Sequence, residues 1–405
     1  MRRGWLAALG GIVVAVVFCG GGVAQATPRF AARNGMPCAV CHVNPAGGGM
    51  RTAYGRGVFA RLHLSSPTLQ RVLGERGGNV LEPRLGRALA MGGDLRTGYL
   101  YAAAPGADPS LNTFFVMQAD LYLAAELGRH TTLYVDRGAY GAFEAFALLH
   151  AGLRETAADE DAPAAGRARE PPSVSGYLKV GRFMPTYGLR MDSHSMFTRE
   201  GMGLGAGARD SGVEAGLYLG PVLLQGAYLK GALTDQSREG TVYGRAEWLR
   251  GGSGLRWMLG GSVAWTPNAA GRNPALAVPL DASAGVREWK AALHVVASVG
   301  RLGLLGELDW VVDHARLDEL RGRAAVTYAE LSLLAAQGVE VGLSHEWQDP
   351  DFDLASGVVQ RIGARLEVHP WDATEVRLDV RHTLAPEGHA LDGVNDVSVL
   401  LHLFF

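Results

Sequence analysis

From Leu85 to Phe405 apolar and polar residues alternate in short runs separated by turn signals. A period of two is what a strand shows when its faces meet different surroundings. Phe115 to Glu126, Val242 to Arg250, Arg301 to His314 and Arg361 to Trp371 carry the pattern well. Glu307, Asp309, Glu340, Glu346, Glu367 and Asp379 share one face, while Leu, Val or Trp occupy the other. A wet interior and an apolar exterior follow. The spacing predicts about sixteen strands, the first near 88–102 and the last near 395–405.

The connections alternate as well. Gly220-Pro221, Gly251 to Ser253, Gly300-Arg301, Ala335 to Gln337 and Pro370 to Ala373 are short. The links 184–209, 233–240, 266–286, 315–322, 350–355 and 384–394 are long. Short turns at one end and long loops at the other describe an outer-membrane barrel whose ends both return to the periplasm. Residues 152–175 break the rule, being long, charged and rich in Ala and Pro at a position where a short turn is expected. They are either an unstructured tether or the sign of a miscounted hairpin near Gly138 to Gly141.

Composition narrows the class. Glycine reaches 56 of 405 residues without a period of three and beside 48% hydrophobic residues, which suits short barrel strands and excludes collagen. The net charge of −2 offers no basic field for nucleic acid. No apolar stretch is long enough for a spanning helix. A non-membrane array of β-sandwiches would alternate similarly; the terminal run VSVLLHLFF, closing on Phe405, favours the barrel. The expected fold is therefore an all-β, antiparallel transmembrane barrel over 85–405. Trp248, Trp257, Trp265, Trp289, Trp310, Trp347 and Trp371 fall near strand ends, as interfacial girdle residues do.

Residues 1–26 read as a secretory signal, with Arg2 and Arg3 before an apolar stretch and Ala24-Gln25-Ala26 as the cleavage site. Lipoprotein processing at Cys19 is disfavoured by Phe18, which stands where a small residue is expected. Beyond the leader only Cys38 and Cys41 remain, in a CxxCH string ending at His42. That is the attachment motif of haem c, with two thiols for thioether bonds and the adjacent imidazole for the iron. A disulfide loop and a zinc site are the alternatives, but neither needs the histidine. Met50 and His63 are the candidates for the distal iron ligand, with Met191, His194 and Met196 as more remote ones. Gly47 to Gly49 either let backbone approach the porphyrin or reverse the chain. Tyr54 either packs on the macrocycle or is simply buried.

Residues 27–84, the c-type cytochrome segment, are few for a domain with its own core. A barrel of this size has room for a plug, so the segment is expected inside or against the lumen. GxSxG, HExxH and Walker motifs are absent, and the glycine-rich GMGLGAG at 201–207 lacks the strand-to-helix setting of a dinucleotide site.

The leader, the stretch PRFAARNGMPCAVCHVNPAGGGMRTAYG with its single haem motif, and the barrel running to Phe405 together resemble the fused outer-membrane monohaem cytochrome–porins of bacteria that exchange electrons with external donors or acceptors, the iron-oxidising type included. The segment GYLKVGRFMPTYGLRMDSHSMFTR at 176–199 is also similar to porins that carry no haem. The resemblance implies one covalent haem c, periplasmic c-type cytochromes and a small extracellular redox donor or acceptor as partners, and electron passage across the outer membrane, Fe(II) oxidase activity being one form of it. The alternative is a diffusion porin in which the haem segment is a structural or regulatory plug.

Overall fold

The computed structural model describes residues 28–74, 84–85, 88–105, 110–139, 143–153, 174–191, 195–204, 208–230, 240–251, 254–267, 287–313, 323–352 and 357–405. The leader, His194 and residues 154–173 of the long charged connection lie outside them. A two-residue strand, β1 (Arg84–Leu85), pairs with the start of β2 (Leu89–Ala103). Sixteen strands from β2 to β17 (Asn395–Phe404) then pair antiparallel with their sequence neighbours, and β17 pairs back onto β2 to close the ring. At that seam Phe404 lies opposite Asp94 and Asn395 opposite Ala103. A closed ring leaves no unpaired edge, which is what lets strands cross a membrane.

The predicted alternation holds around the ring. Leu121, Leu293, Leu304, Leu343, Ile362 and Leu401 are exposed on the outside, while Asp120, His294, Glu307, Glu346, Glu367 and His402 are buried within. Trp248 and Trp257 stack edge to face at 4.7 Å near Gly251, and Trp265 and Trp289 meet at 5.9 Å at the other end of the same wall. They form the two aromatic levels of an interfacial girdle. Among the described residues no helix is long and apolar enough to cross a membrane.

Strands β6 (Val174–Phe183) and β7 (Asp210–Leu219) lie in the ring, and β9 (Thr241–Arg250) contains the alternating run Val242 to Arg250. The hairpin of β4 (Thr131–Gly138) and β5 (Phe143–Ala151) is paired from Thr131–Leu149 to Arg137–Phe143, so the strands there are correctly counted. Tight turns need a left-handed residue. Gly300 supplies it between β11 (Glu288–Val299) and β12 (Leu302–Asp313), with φ +57°.

Two segments fill the lumen. The first is the N-terminal plug: helices α1 (Pro28–Asn34) and α2 (Cys38–Cys41), a glycine turn, a π-wound helix over Tyr54–Leu64, and α3 (Pro67–Leu73). It sits at the end that carries the short turns. Gln337 donates to the Leu62 and Ser65 carbonyls, and the Ser66 amide donates to the His369 carbonyl. The second is the link after β6. It starts at the long-loop end as expected but folds inward rather than lying outside: Leu189 and Met202 are fully buried, and the Leu189 amide donates to Glu307 on the wall. Ala32 of α1 shares one apolar cluster with Leu189, Met191 and Met196. The two fillings therefore touch.

Candidate functional site

A short helix presents the CxxCH string. Pro37 precedes α2 with an extended backbone, and the His42 amide closes the turn by donating to the Cys38 carbonyl. The chain then reverses through Gly47, Gly48 and Gly49, all left-handed (φ +87°, +78° and +62°), and His42 pairs with Arg51 across the turn. A side chain is hard to place here, since a Cβ on Gly49 would lie 2.4 Å from Tyr134 Oη. Gly55 lets the π-wound helix press onto the motif: a Cβ there would stand 2.3 Å from the Cys41 carbonyl oxygen.

Beside the motif lies a cavity of about 760 Å³, counting its open mouth. From the plug it is lined by Phe30, Met36, Cys38, Cys41, His42 and Phe59. The wall contributes Arg96 from β2, Glu367 and His369 from β15 (Val359–Trp371), Glu375 from β16 (Thr374–Leu384), and His402 and Phe404 from β17. Arg51 also lines it and lies over the Phe404 ring, 3.7 Å from its centre.

The motif residues are together. Cys38 and Cys41 form no disulfide. They are partly buried by area, yet desolvation pushes their thiols up, Cys38 to about 11 and Cys41 to about 12. Zinc would need thiolates and more ligands, and among the described residues no group of three or more His, Cys, Asp or Glu is placed for a metal ion. Burial, and then the charge of Arg51, pushes the His42 imidazole down to about 3, so it is neutral and able to bind a metal ion. Its buried Nδ1 has no hydrogen-bond partner.

The other sequence candidates go elsewhere. Met50 is buried, but in the apolar cluster with Tyr122, Tyr134 and Phe146, and its amide donates to Tyr134 Oη at 3.2 Å. His63 lies against the Phe59 ring at 5.1 Å. Neither lines the cavity. Met191 and Met196 line a second cavity, about 440 Å³, against β13 (Arg323–Ala336) to β16. Tyr54 packs with Phe59 and Leu64 and donates to Met36 Sδ at 3.6 Å.

Among the cavity residues that escaped the sequence reading are three with side chains that can bind iron, Met36, His369 and His402. Both histidines share strand faces with carboxylates, His369 two residues after Glu367, and that parity was a usable signal. His402 is held by carboxylates at both nitrogens, Nδ1 by Glu375 at 2.8 Å and Nε2 by Asp94. His369 pairs Nε2 with Glu367 at 3.0 Å, while its buried Nδ1 has no partner.

An ion cluster fastens the plug to this wall. Arg29 of α1 pairs with Glu330 at 3.3 Å, with Glu340 at 3.1 Å and with Glu367. Arg33 reaches Glu340 at 2.8 Å, and Arg365 reaches Glu330 at 2.6 Å and Glu367 at 3.6 Å. Glu330 and Arg365 also line the second cavity, so the cluster divides the two. Arg29 is nearly inaccessible, yet each of its three carboxylate partners is ionisable and paired, the condition under which buried charge is tolerated.

No protein-family model matches the chain, and no characterised protein matches it in sequence. Solved structures do match in shape. OmpT of Vibrio cholerae superposes with a TM-score of 0.55 at 12% identity, covering 80% of this chain and all of that one. The fold is that of an outer-membrane porin. OprB of Pseudomonas putida gives 0.55 at 10% identity over 78% of this chain and 94% of its own, and Salmonella typhi OmpF, solved with daunomycin, gives 0.52 at 12% over 78% and 97%. With its apolar belt and closed ring, the chain is a barrel of the Gram-negative outer membrane.

Proposed function

We propose that this porin-type barrel carries one covalently attached haem c at its plugged end and passes electrons between a small extracellular donor or acceptor and periplasmic c-type cytochromes. The observation that carries this reading is the cavity itself. It adjoins the only CxxCH of the chain, and it is bounded by the imidazole of His42, whose buried Nδ1 has no hydrogen-bond partner among the described residues. Cys38 and Cys41 would hold the group by thioether bonds and His42 would bind its iron. When bound, the group supplies a one-electron couple.

The chain's own residues do the rest. Phe30, Phe59, Leu64 and Phe404 give the cavity apolar walls, and Arg51 and Arg96 bring positive charge for anionic substituents. The Arg29 cluster keeps the plug seated and separates the haem cavity from the second cavity. An extracellular reactant such as Fe(II) would approach from the long-loop end. A periplasmic cytochrome would dock where the plug is exposed among the short turns, close to the motif.

The likeness in fold to the outer-membrane barrels OprB and OmpF supports a second reading, a diffusion porin whose haem segment is a structural or regulatory plug. Two measurements on the purified full chain separate them. A haem stain after denaturation tests covalent attachment. Absorbance on adding Fe(II), set against single-channel conductance in a planar bilayer, tests role. Haem reduction with little conductance supports the electron path; steady conductance insensitive to haem oxidation state supports the porin. A colourless protein would end the haem reading.

A further inference from the structure

We propose that the barrel wall supplies the second axial ligand of the iron, and that this ligand is His369 of β15. The proposal deepens the haem reading and rests on it.

Iron-binding side chains on the cavity surface are few. Among the described residues they are, besides His42, Met36, His369 and His402. Met36 lies two residues before the motif, and its sulfur already accepts from Tyr54 Oη. His402 has a carboxylate on each nitrogen, so iron binding would strip one charged hydrogen bond from a buried ring. His369 differs in one respect that matters. One nitrogen is held by Glu367, and the other is buried without a partner. A carboxylate on one nitrogen and a free second nitrogen is the arrangement of a metal-binding histidine, since the carboxylate fixes the tautomer and raises the basicity of the ring. A buried nitrogen left unpaired costs free energy that a metal bond would recover.

The surroundings hold the ring in place. The Phe30 ring meets His369 edge on, 6.3 Å between centres. Its carbonyl accepts from the Ser66 amide and its amide donates to the Gly338 carbonyl, so the backbone is fixed both to the plug and to the neighbouring turn. Glu367 is itself paired with Arg29 of α1. The ligand carried by the wall and the helix leading into CxxCH are thus joined through one carboxylate. One imidazole comes from the plug and the other from the barrel, and the site is complete only when the plug is seated.

The test uses the full-length chain in detergent, loaded with haem during export. Native protein is expected to stain for covalent haem and to show a low-spin ferric spectrum by absorbance and electron paramagnetic resonance. His369→Ala should keep the haem stain but lose the low-spin signal, and added imidazole should restore it. His369→Met should remain six-coordinate with a raised reduction potential, as a Met–His pair has; it also guards against a variant that merely misfolds. Met36→Leu, Met50→Leu, His63→Gln and His402→Gln should keep the native low-spin spectrum. Retention of that spectrum in His369→Ala, or its loss in Met36→Leu or His402→Gln alone, would overturn the assignment. A native protein that stains but is high-spin would overturn it too, leaving haem attachment intact. A native protein without stain would overturn the haem reading itself and the ligand with it.

Discussion

Arg190, on the segment that folds in from the outer rim, donates to the carbonyl oxygen of Gly47 in the plug. The guanidinium is buried and also reaches the Met184 carbonyl at 3.4 Å, so one side chain links the two fillings of the lumen. Arg190→Ala removes hydrogen bonds from a charged donor, worth about 1.5–3 kcal/mol together. The plug should open at least about tenfold more often. Limited proteolysis of the 44–51 turn in the intact barrel measures it, and unchanged cleavage would show that the contact does not restrain the plug.

Arg29 matters more, because three carboxylates depend on it. Arg29→Ala leaves Glu330, Glu340 and Glu367 with too little positive charge in a buried place, an effect of about 3–5 kcal/mol. The expected outcome is a plug released to protease at the short-turn end while the barrel itself stays folded by circular dichroism. Arg29→Lys should recover only part, since a single ammonium cannot replace a forked donor among three acceptors.

Gly49→Ala tests the turn beside the haem motif. The residue is left-handed, and the added methyl would collide with Tyr134 Oη. The variant should load less haem than native protein, read as stain per unit of barrel, and Tyr134→Phe in the same chain should relieve part of the loss by removing the oxygen.

Lys179 and Glu214 form a fully buried pair at 2.8 Å on β6 and β7, and Lys179 also donates to Asn44 Oδ1 of the plug at 3.3 Å. Lys179→Met should lower barrel stability by about 3–5 kcal/mol through the stranded carboxylate, and adding Glu214→Gln should restore much of it. Denaturant unfolding followed by intrinsic fluorescence reads both. An additive double variant would mean that the two side chains do not interact.

Most of the barrel is legible in the sequence because a membrane wall leaves one residue in two facing lipid. Leu293 outside and His294 inside are neighbours in the chain and opposites in environment. The seated plug is legible as well, since sixty-odd residues around a haem motif lack a core of their own. What escapes is the third dimension of the lumen. Nothing local in GRFMPTYGLR states that Leu189 turns inward to meet Ala32; that follows from contacts between parts of the chain far apart in sequence. Met50 and His63 attract notice because they lie near His42 in the chain, whereas His369 and His402 reach the cavity only through ring closure.

That closure has a consequence for biogenesis. Arg96 on β2 and the two wall histidines on β15 and β17 stand on either side of the seam where the last strand finds the first. Until β17 pairs with β2, Arg96 does not face those histidines and the pocket wall is incomplete. On the proposed haem reading, an unfinished precursor would hold the group open on one side, so the colour of the protein would report whether insertion into the outer membrane had run to completion.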